Sequence, residues 1–359
     1  VRVLLVTYAE LDPRYGAAQP ALNLAAALRD RGHDAEAWAP PPPPPELRWW
    51  HSVAWRRGQL QALLAGRPRY DVVDLPPLAV AGGRLPASIL VARSTQPDLR
   101  YWALEARGLL RAALRSPARA AAHLGHRALL ARRVVAGFQR ADVIFCLGSL
   151  EMRWMRRRLP WTRRKLRVYV NAPAPAEQEA LARVRAGRDR SPRPAARFLW
   201  IGRWSDHKGP RTLVEWLRRR HADRPCDRFT LAGCGDQAAA DIPPAMRSSG
   251  VVAVVPSFTR GELANLLAGH DAGVFTSRVE GWGQTLNEML ESGLPVYATA
   301  AGGVADLKPF FPGTLREFPP SDGSIPGAPA SEPSGDYYEV FNWDRIASRY
   351  ERDVQRSDS

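Results

Sequence analysis

The chain has 359 residues, 45% of them hydrophobic, and a formal net charge of +15. That length exceeds one typical core and predicts two domains, while the three cysteines, Cys146, Cys226 and Cys234, lie far apart without a C-x-x-C pair and speak against a disulfide framework or a zinc site. The charge is uneven: residues 1–180 hold 28 Lys and Arg against 14 Asp and Glu, and residues 181–359 hold 23 against 22, so the basic character belongs to the first half.

In chain order, Val1–Thr7 is a continuous aliphatic and β-branched run that predicts a strand. A turn at Gly16 and helical spacing over Ala18–Arg31 follow, stopped by Gly32. Asp34–Ala39 restarts a strand, Pro40–Pro45 makes a stiff connection, and Asp71–Leu75, Ser88–Ala92, Asp142–Leu147 and Leu166–Val170 read as further strands. Between Tyr101 and Arg140 lies an Ala- and Arg-rich helical region broken at Ser116-Pro117. Strand and helix in alternation imply a parallel α/β domain over residues 1–172. Residues 173–196 are poor in large apolar side chains and read as a linker.

The pattern then restarts over residues 197–340. Strands are expected at Arg197–Ile201, Arg228–Ala232, Val251–Val255, Ala272–Phe275 and Pro295–Ala298, with helices at Pro210–Arg220 and Arg260–Ala268. Residues 308–336 carry seven prolines and no clear periodicity, so a loop is expected. Residues 341–359 close the chain, with an amphipathic helix over Asn342–Val354 that is expected to pack back on the first domain. The fold class is α/β, two doubly wound Rossmann-like domains facing each other across a cleft, and ligands of such folds bind at the carboxyl ends of the strands.

Two segments would line that cleft. In "EGWGQTLNEMLESGLPV", Gly281 and Gly283 bracket Trp282 in a tight turn, and a short helix opens at Gln284 and Thr285, where free amides and the positive dipole end suit phosphate oxygens. Glu280 before the turn and Glu288 one helical turn beyond its start flank whatever the amides hold, and carboxylates accept from hydroxyls. Trp282 reads equally as a sugar-stacking and a packing residue. In "IGRWSDHKG", Arg203 and Lys208 stand with Gly202 and Gly209 between a strand and a helix, where a diphosphate is expected.

Residues 197–307, with the Glu280/Glu288 pair and the Arg203/Lys208 pair about 75 residues earlier, resemble the donor domain of the retaining glycosyltransferases of family 4, which have the GT-B fold. The resemblance implies transfer from a nucleotide-diphosphate sugar with retention at the anomeric carbon and without a bound metal or other cofactor. It assigns Arg203, Lys208 and Glu280 to catalysis, the first two on the diphosphate and Glu280 by the transferred sugar. Gly202, Gly281, Trp282, Gly283, Gln284, Thr285 and Glu288 would bind the donor, Glu288 through the ribose hydroxyls, and Gly16, Ser94 and Thr95 would lie on the acceptor side. The first half resembles the family more loosely: many members have two glycines where this chain has Gly16-Ala17, and R-S-H-G where it has Arg93-Ser94-Thr95-Gln96, so the usual cleft histidine is absent.

Two other readings stand beside this one: an epimerase or phosphorylase of the same fold, and a basic membrane-surface or nucleic-acid binding protein without catalysis. No recognition helix, RNA-stacking signature or zinc module supports nucleic acid as a partner. The acceptor expected is lipid-linked or a cell-surface glycan precursor. Arg153–Arg167, "RWMRRRLPWTRRKLR", packs eight basic residues with Trp154 and Trp161 and no acid, which suits an anionic membrane surface. The opening residues show no cleavable apolar leader and no run approaches the ~18 apolar residues of a span. The expected location is therefore cytoplasmic, peripheral at the inner face of the plasma membrane.

Overall fold

A computed structural model describes residues 1–12, 16–48, 51–81, 85–112, 116–188, 195–320 and 332–356. The chain forms two compact units, Val1–Asn171 with Phe341–Ser359, and Ala172–Val340. The first unit runs β1 (Arg2–Val6), α1 (Gln19–Asp30), β2 (Asp34–Trp38), α2 (Ser52–Ala65), β3 (Tyr70–Leu75), α3 (Pro77–Val80), β4 (Ala87–Arg93), α4 (Asp98–Ala112), α5 (Pro117–Arg140), β5 (Val143–Leu147), α6 (Ser149–Arg158) and β6 (Leu166–Tyr169). The second begins with α7 (Pro175–Ala186), β7 (Arg197–Ile201), α8 (Pro210–Asp223), β8 (Arg228–Ala232), α9 (Gln237–Asp241), α10 (Pro244–Ser248) and β9 (Val252–Val255). It continues through α11 (Leu263–Ala268), β10 (Ala272–Phe275), α12 (Gln284–Glu291), β11 (Val296–Ala298), α13 (Val304–Leu307), β12 (Leu315–Glu317) and α14 (Tyr337–Val340); α15 (Trp343–Gln355) then returns to the first unit.

Each unit is built on one parallel sheet, in the orders β2-β1-β3-β4-β5-β6 and β12-β11-β10-β7-β8-β9. Helical crossovers cover both faces of such sheets, so the strands read as unbroken apolar runs: Leu4, Leu5 and Val6 of β1 are fully buried, as are Leu199 of β7 and Ala272 of β10 to within a few per cent. In the second unit Phe198 of β7 meets Trp216 of α8 edge-on at 5.2 Å and stacks on Phe229 of β8 at 5.5 Å. Each sheet reverses its strand order once, beside β1 in the first and between β7 and β10 in the second.

The last helix completes the first unit. Asn342 caps it by accepting from the Arg345 amide at 2.8 Å, and Trp343, Ile346, Tyr350 and Val354 form its buried face. Tyr350 stacks on Phe145 of β5 at 5.0 Å, and Arg31, just past α1, bonds Asp344 and Glu351 at 2.8 and 2.7 Å. Below lies a buried ion pair, Arg93 of β4 with Asp74 of β3 at 2.9 Å.

Two expectations need correction, and one helix had no expectation at all. Residues 173–196 are not a linker throughout: residues 175–186 form α7, within the second unit. Glu177 accepts from the Ala174 amide, buried Arg185 donates to the Glu291 carbonyl at 2.6 Å, and Arg188 donates to the carbonyls of Ser292, His270 and Leu267. Docking through guanidinium–carbonyl bonds escapes a count of large apolar residues; residues 189–194 lie outside the described ones. The expected loop at 308–336 contains β12, which extends the sheet by pairing Leu315 with Val296; residues 321–331 of it lie outside the described ones. Helix α2 went unread because it buries only Leu60 and Leu64 and has hardly any apolar stripe.

Candidate functional site

The loops that follow β7 and β10 leave the sheet on either side of the second unit's strand-order reversal, the position where open α/β sheets bind ligands. They are stitched together by short contacts. Gly209 has φ 72°, and a Cβ there would stand 2.1 Å from the Thr276 carbonyl oxygen, so only glycine allows the two backbones to approach this closely. Thr276 Oγ1 accepts from Trp200 Nε1 at 3.0 Å and donates to the Lys208 carbonyl at 2.7 Å, and the Arg278 amide donates to the His207 carbonyl at 2.7 Å. Burial, then the Lys208 charge, pushes the His207 imidazole down to about 4, so it is neutral at pH 7.

This stitching brings Lys208 and Glu280 into an ion pair, although they are 72 positions apart in the chain. Ser277 Oγ donates to the same Glu280 oxygen, Oε2, at 3.1 Å. Arg203 is exposed on the Gly202–Gly209 loop. A cation and a carboxylate half-sheltered together offer charge-assisted hydrogen bonds of both kinds, the ammonium to an anion and the carboxylate to a donor.

Gly281, Trp282 and Gly283 are buried, and α12 opens behind them with Gln284 and Thr285 half-buried. Trp282 is a packing residue: it is 3% exposed, and Gly302 and Gly303 lie against it, so that a Cβ on Gly302 would meet the Trp282 carbonyl at 2.4 Å. Glu288 is fully buried, and its Oε1 pairs with Arg260 Nη1 at 2.8 Å, while Arg260 also bonds Glu177 of α7 at 2.6 Å. Burial raises the Glu288 carboxyl above its ordinary range, and Arg260 opposes the rise. Two buried polar atoms on one side of the first turn, Glu288 Oε2 and Thr285 Oγ1, have no hydrogen-bond partner among the described residues. Arg260 and Ser277 were not singled out from the sequence. Arg260 had a signal, since Thr259 and Glu262 form the capping-box spacing that opens its 3-10 turn.

The residues expected on the acceptor side all belong to the first unit. Gly16 lies in the turn before α1, and Thr95 is exposed. Ser94 is buried, with its hydroxyl 2.7 Å from Glu151 Oε1 and 2.9 Å from the Gln96 carbonyl. The Ser94 hydroxyl donates to the ionised Glu151, whose other oxygen accepts from the Leu147 amide at 2.7 Å; once protonated, the carboxyl can donate back to Ser94 Oγ and leave the hydroxyl proton to the Gln96 carbonyl. Burial raises the Glu151 carboxyl to about 7, against the pull of the Ser94 and Leu147 hydrogen bonds. A raised folded value means stability that is complete below the ordinary carboxyl range and lost as pH climbs through about 7. Glu151→Gln keeps the donor and removes the titration. The melting temperature of the wild type is expected to fall relative to this variant between pH 5 and 8, by the equivalent of about 2–4 kcal/mol; parallel melting curves would remove Glu151 from that role.

Over the whole chain the architecture is shared with solved proteins. Sucrose-phosphate synthase of Thermosynechococcus elongatus superposes with a TM-score of 0.62 at 16% identity, covering 99% of this chain and 94% of that one. The catalytic domain of starch synthase IV of Arabidopsis thaliana, bound to ADP and acarbose, gives 0.58 at 12% identity over 99% of both chains. HepE of Anabaena in complex with UDP gives 0.55 at 14% identity, over 99% of this chain and 91% of that one.

The chain has the GT-B fold. Residues 195–309, which hold every residue that the sequence led one to expect at the donor, match the family of glycosyl transferases group 1. No curated protein sequence matches the chain. Within this GT-B chain the matched segment begins just before β7 and ends after α13, so it spans both stitched loops and α12.

Proposed function

We propose that the chain is a retaining glycosyltransferase of the family 4 type, moving a sugar from a nucleotide-diphosphate donor to an acceptor hydroxyl. The observation that carries this reading is the orphaned pair on α12: a fully buried Glu288 whose Oε2 lacks a donor, with Thr285 Oγ1 beside it, behind the loop that pairs Lys208 with Glu280. A ribose supplies hydroxyl donors for Glu288 and an acceptor for Thr285, and a diphosphate supplies the anion for Lys208 and Arg203. The ADP and UDP held by two solved proteins of this fold support a nucleoside diphosphate as the group bound.

In the transfer, the bond from the anomeric carbon to the diphosphate oxygen breaks and the diphosphate departs with the electron pair. Lys208 and Arg203 balance the charge that develops on it. With retention, the acceptor oxygen forms its bond on the face that the diphosphate leaves, and the departing phosphate oxygen takes the acceptor proton. Glu280, released from Lys208, orients the sugar. The acceptor we infer is lipid-linked or a cell-surface glycan precursor, a reading supported by the basic surface of the first unit.

A panel of labelled nucleotide sugars, with product anomer and nucleotide release followed with and without acceptor extract, tests the reading. Acceptor-dependent release with the donor's anomeric configuration kept is the expected result; release or sugar interconversion independent of acceptor points to an epimerase, and no release from any nucleotide sugar, with phosphate-dependent formation of a sugar phosphate from a glycoside, points to a phosphorylase. Glu288→Ala is expected to weaken nucleotide binding by about 1–3 kcal/mol, since ribose hydroxyls then lie unpaired in a dry site. Calorimetry on the folded variant that finds unchanged affinity would take the ribose away from Glu288.

A further inference from the structure

The segment from Arg153 to Arg167 folds into the end of α6, a 3-10 turn at Pro160–Thr162 and the start of β6. Its apolar residues divide. Met155 and Leu159 are buried and Trp154 packs against the first unit's core, whereas Trp161, at the tip of the turn, is 54% exposed. That exposure is enforced locally, because Thr162 is buried and bonds the Leu159 carbonyl through both its amide and its hydroxyl, which pins the turn with Trp161 outward.

The cations divide as well. Lys165 donates to the Gln139 and Ala141 carbonyls and Arg167 faces Asp353 at 3.7 Å. Arg153, Arg156, Arg157, Arg158, Arg163 and Arg164 are exposed, and none of them forms an ion pair with a described residue. Exposed arginines with no carboxylate to meet thus precede and follow an outward tryptophan held on a rigid turn.

We propose that this turn docks on an anionic lipid bilayer, with Trp161 entering the headgroup boundary and the arginines meeting lipid phosphates and carboxylates. An indole with an apolar body and one N–H donor suits that boundary, and clustered cations supply a screened attraction to anionic lipid. Single-stranded nucleic acid is served less well, because stacking platforms offer successive aromatic side chains along a groove, and here Trp161 is the one exposed aromatic among the described residues of the segment. The proposal stands apart from the reading of the second unit and does not depend on catalysis.

The test is co-sedimentation of the full chain with phosphatidylcholine vesicles that contain no phosphatidylserine or about 30% of it, at low and high salt. Wild type is expected to bind the anionic vesicles at low salt, at least tenfold more weakly on neutral vesicles, and more weakly again as salt shortens the screening length. The combined variant Arg156→Glu, Arg157→Glu, Arg163→Glu, Arg164→Glu is expected to lose binding. Trp161→Ser, a change at an exposed side chain, is expected to weaken it several-fold with an unchanged melting curve, which keeps the test decisive if the charge-reversed chain folds poorly. Three results overturn the proposal: no binding to anionic vesicles at low salt, binding unaffected by Trp161→Ser and by charge reversal, or tighter retention of an oligouridine probe that the same substitutions abolish.

Discussion

Lys208→Ala is expected to lower kcat by about 10²–10³-fold while changing nucleotide affinity much less, because a cation aimed at developing charge acts more on the transition state than on the ground state. The position of the side chain motivates the expectation. It leaves a 3-10 turn whose carbonyl is held by Thr276, and its ammonium meets Glu280 at the mouth of the two stitched loops. Loss of the ammonium leaves Glu280 with its Ser277 hydrogen bond, so the loop is expected to keep its shape. Single-turnover rates and nucleotide calorimetry on the variant separate the two effects. Equal losses in affinity and rate would make Lys208 a binding residue only, and normal turnover would remove it from the reaction.

Asp74→Ala should destabilise the first unit by about 3–5 kcal/mol, since it strands the Arg93 guanidinium in the interior. Asp74 is fully buried and Arg93 is 3% exposed. Burial pushes the Asp74 carboxyl upward while the Arg93 charge draws it down, so each group is tolerable only because of the other. Replacing both by apolar residues of similar volume, as in Asp74→Leu with Arg93→Met, should cost far less than the single change. Urea unfolding followed by hydrogen exchange in β3–β5 reports on this unit separately from the second; single and double variants of equal stability would show that the pair is not what the interior depends on.

Much of the fold was legible because parallel strands buried on both faces are written as aliphatic runs, and β1, β3, β5, β7, β8 and β10 were found within a residue or two. Elements held by polar contacts were not. Helix α7 docks through Arg185 and its neighbour Arg188, and β12 is a three-residue edge strand inside a proline-rich stretch; neither has an apolar period to read. The site was legible in its parts, since glycine-bearing turns, paired cations and spaced carboxylates are local features. Their partners were not, and Arg260 is the clearest case: it reaches Glu288 from a different element, 28 positions earlier in the chain, beside Glu177 of α7.

By itself, the sequence determined that there are two parallel α/β units, where most of their strands run, and that the glycine-bearing motifs with their paired cations and carboxylates fall on loops at strand ends, because periodicity and turn chemistry are short-range properties of the chain. Only the tertiary structure decided which charges meet. Lys208 finds Glu280 because Gly209 lets one loop lie against the other, Glu288 turns inward to Arg260, the Trp282 ring packs against Gly303, and of two tryptophans in one basic segment Trp154 joins the core while Trp161 points outward. Those outcomes depend on distances between residues tens of positions apart, and such distances are set by sheet order and close packing rather than by any local pattern.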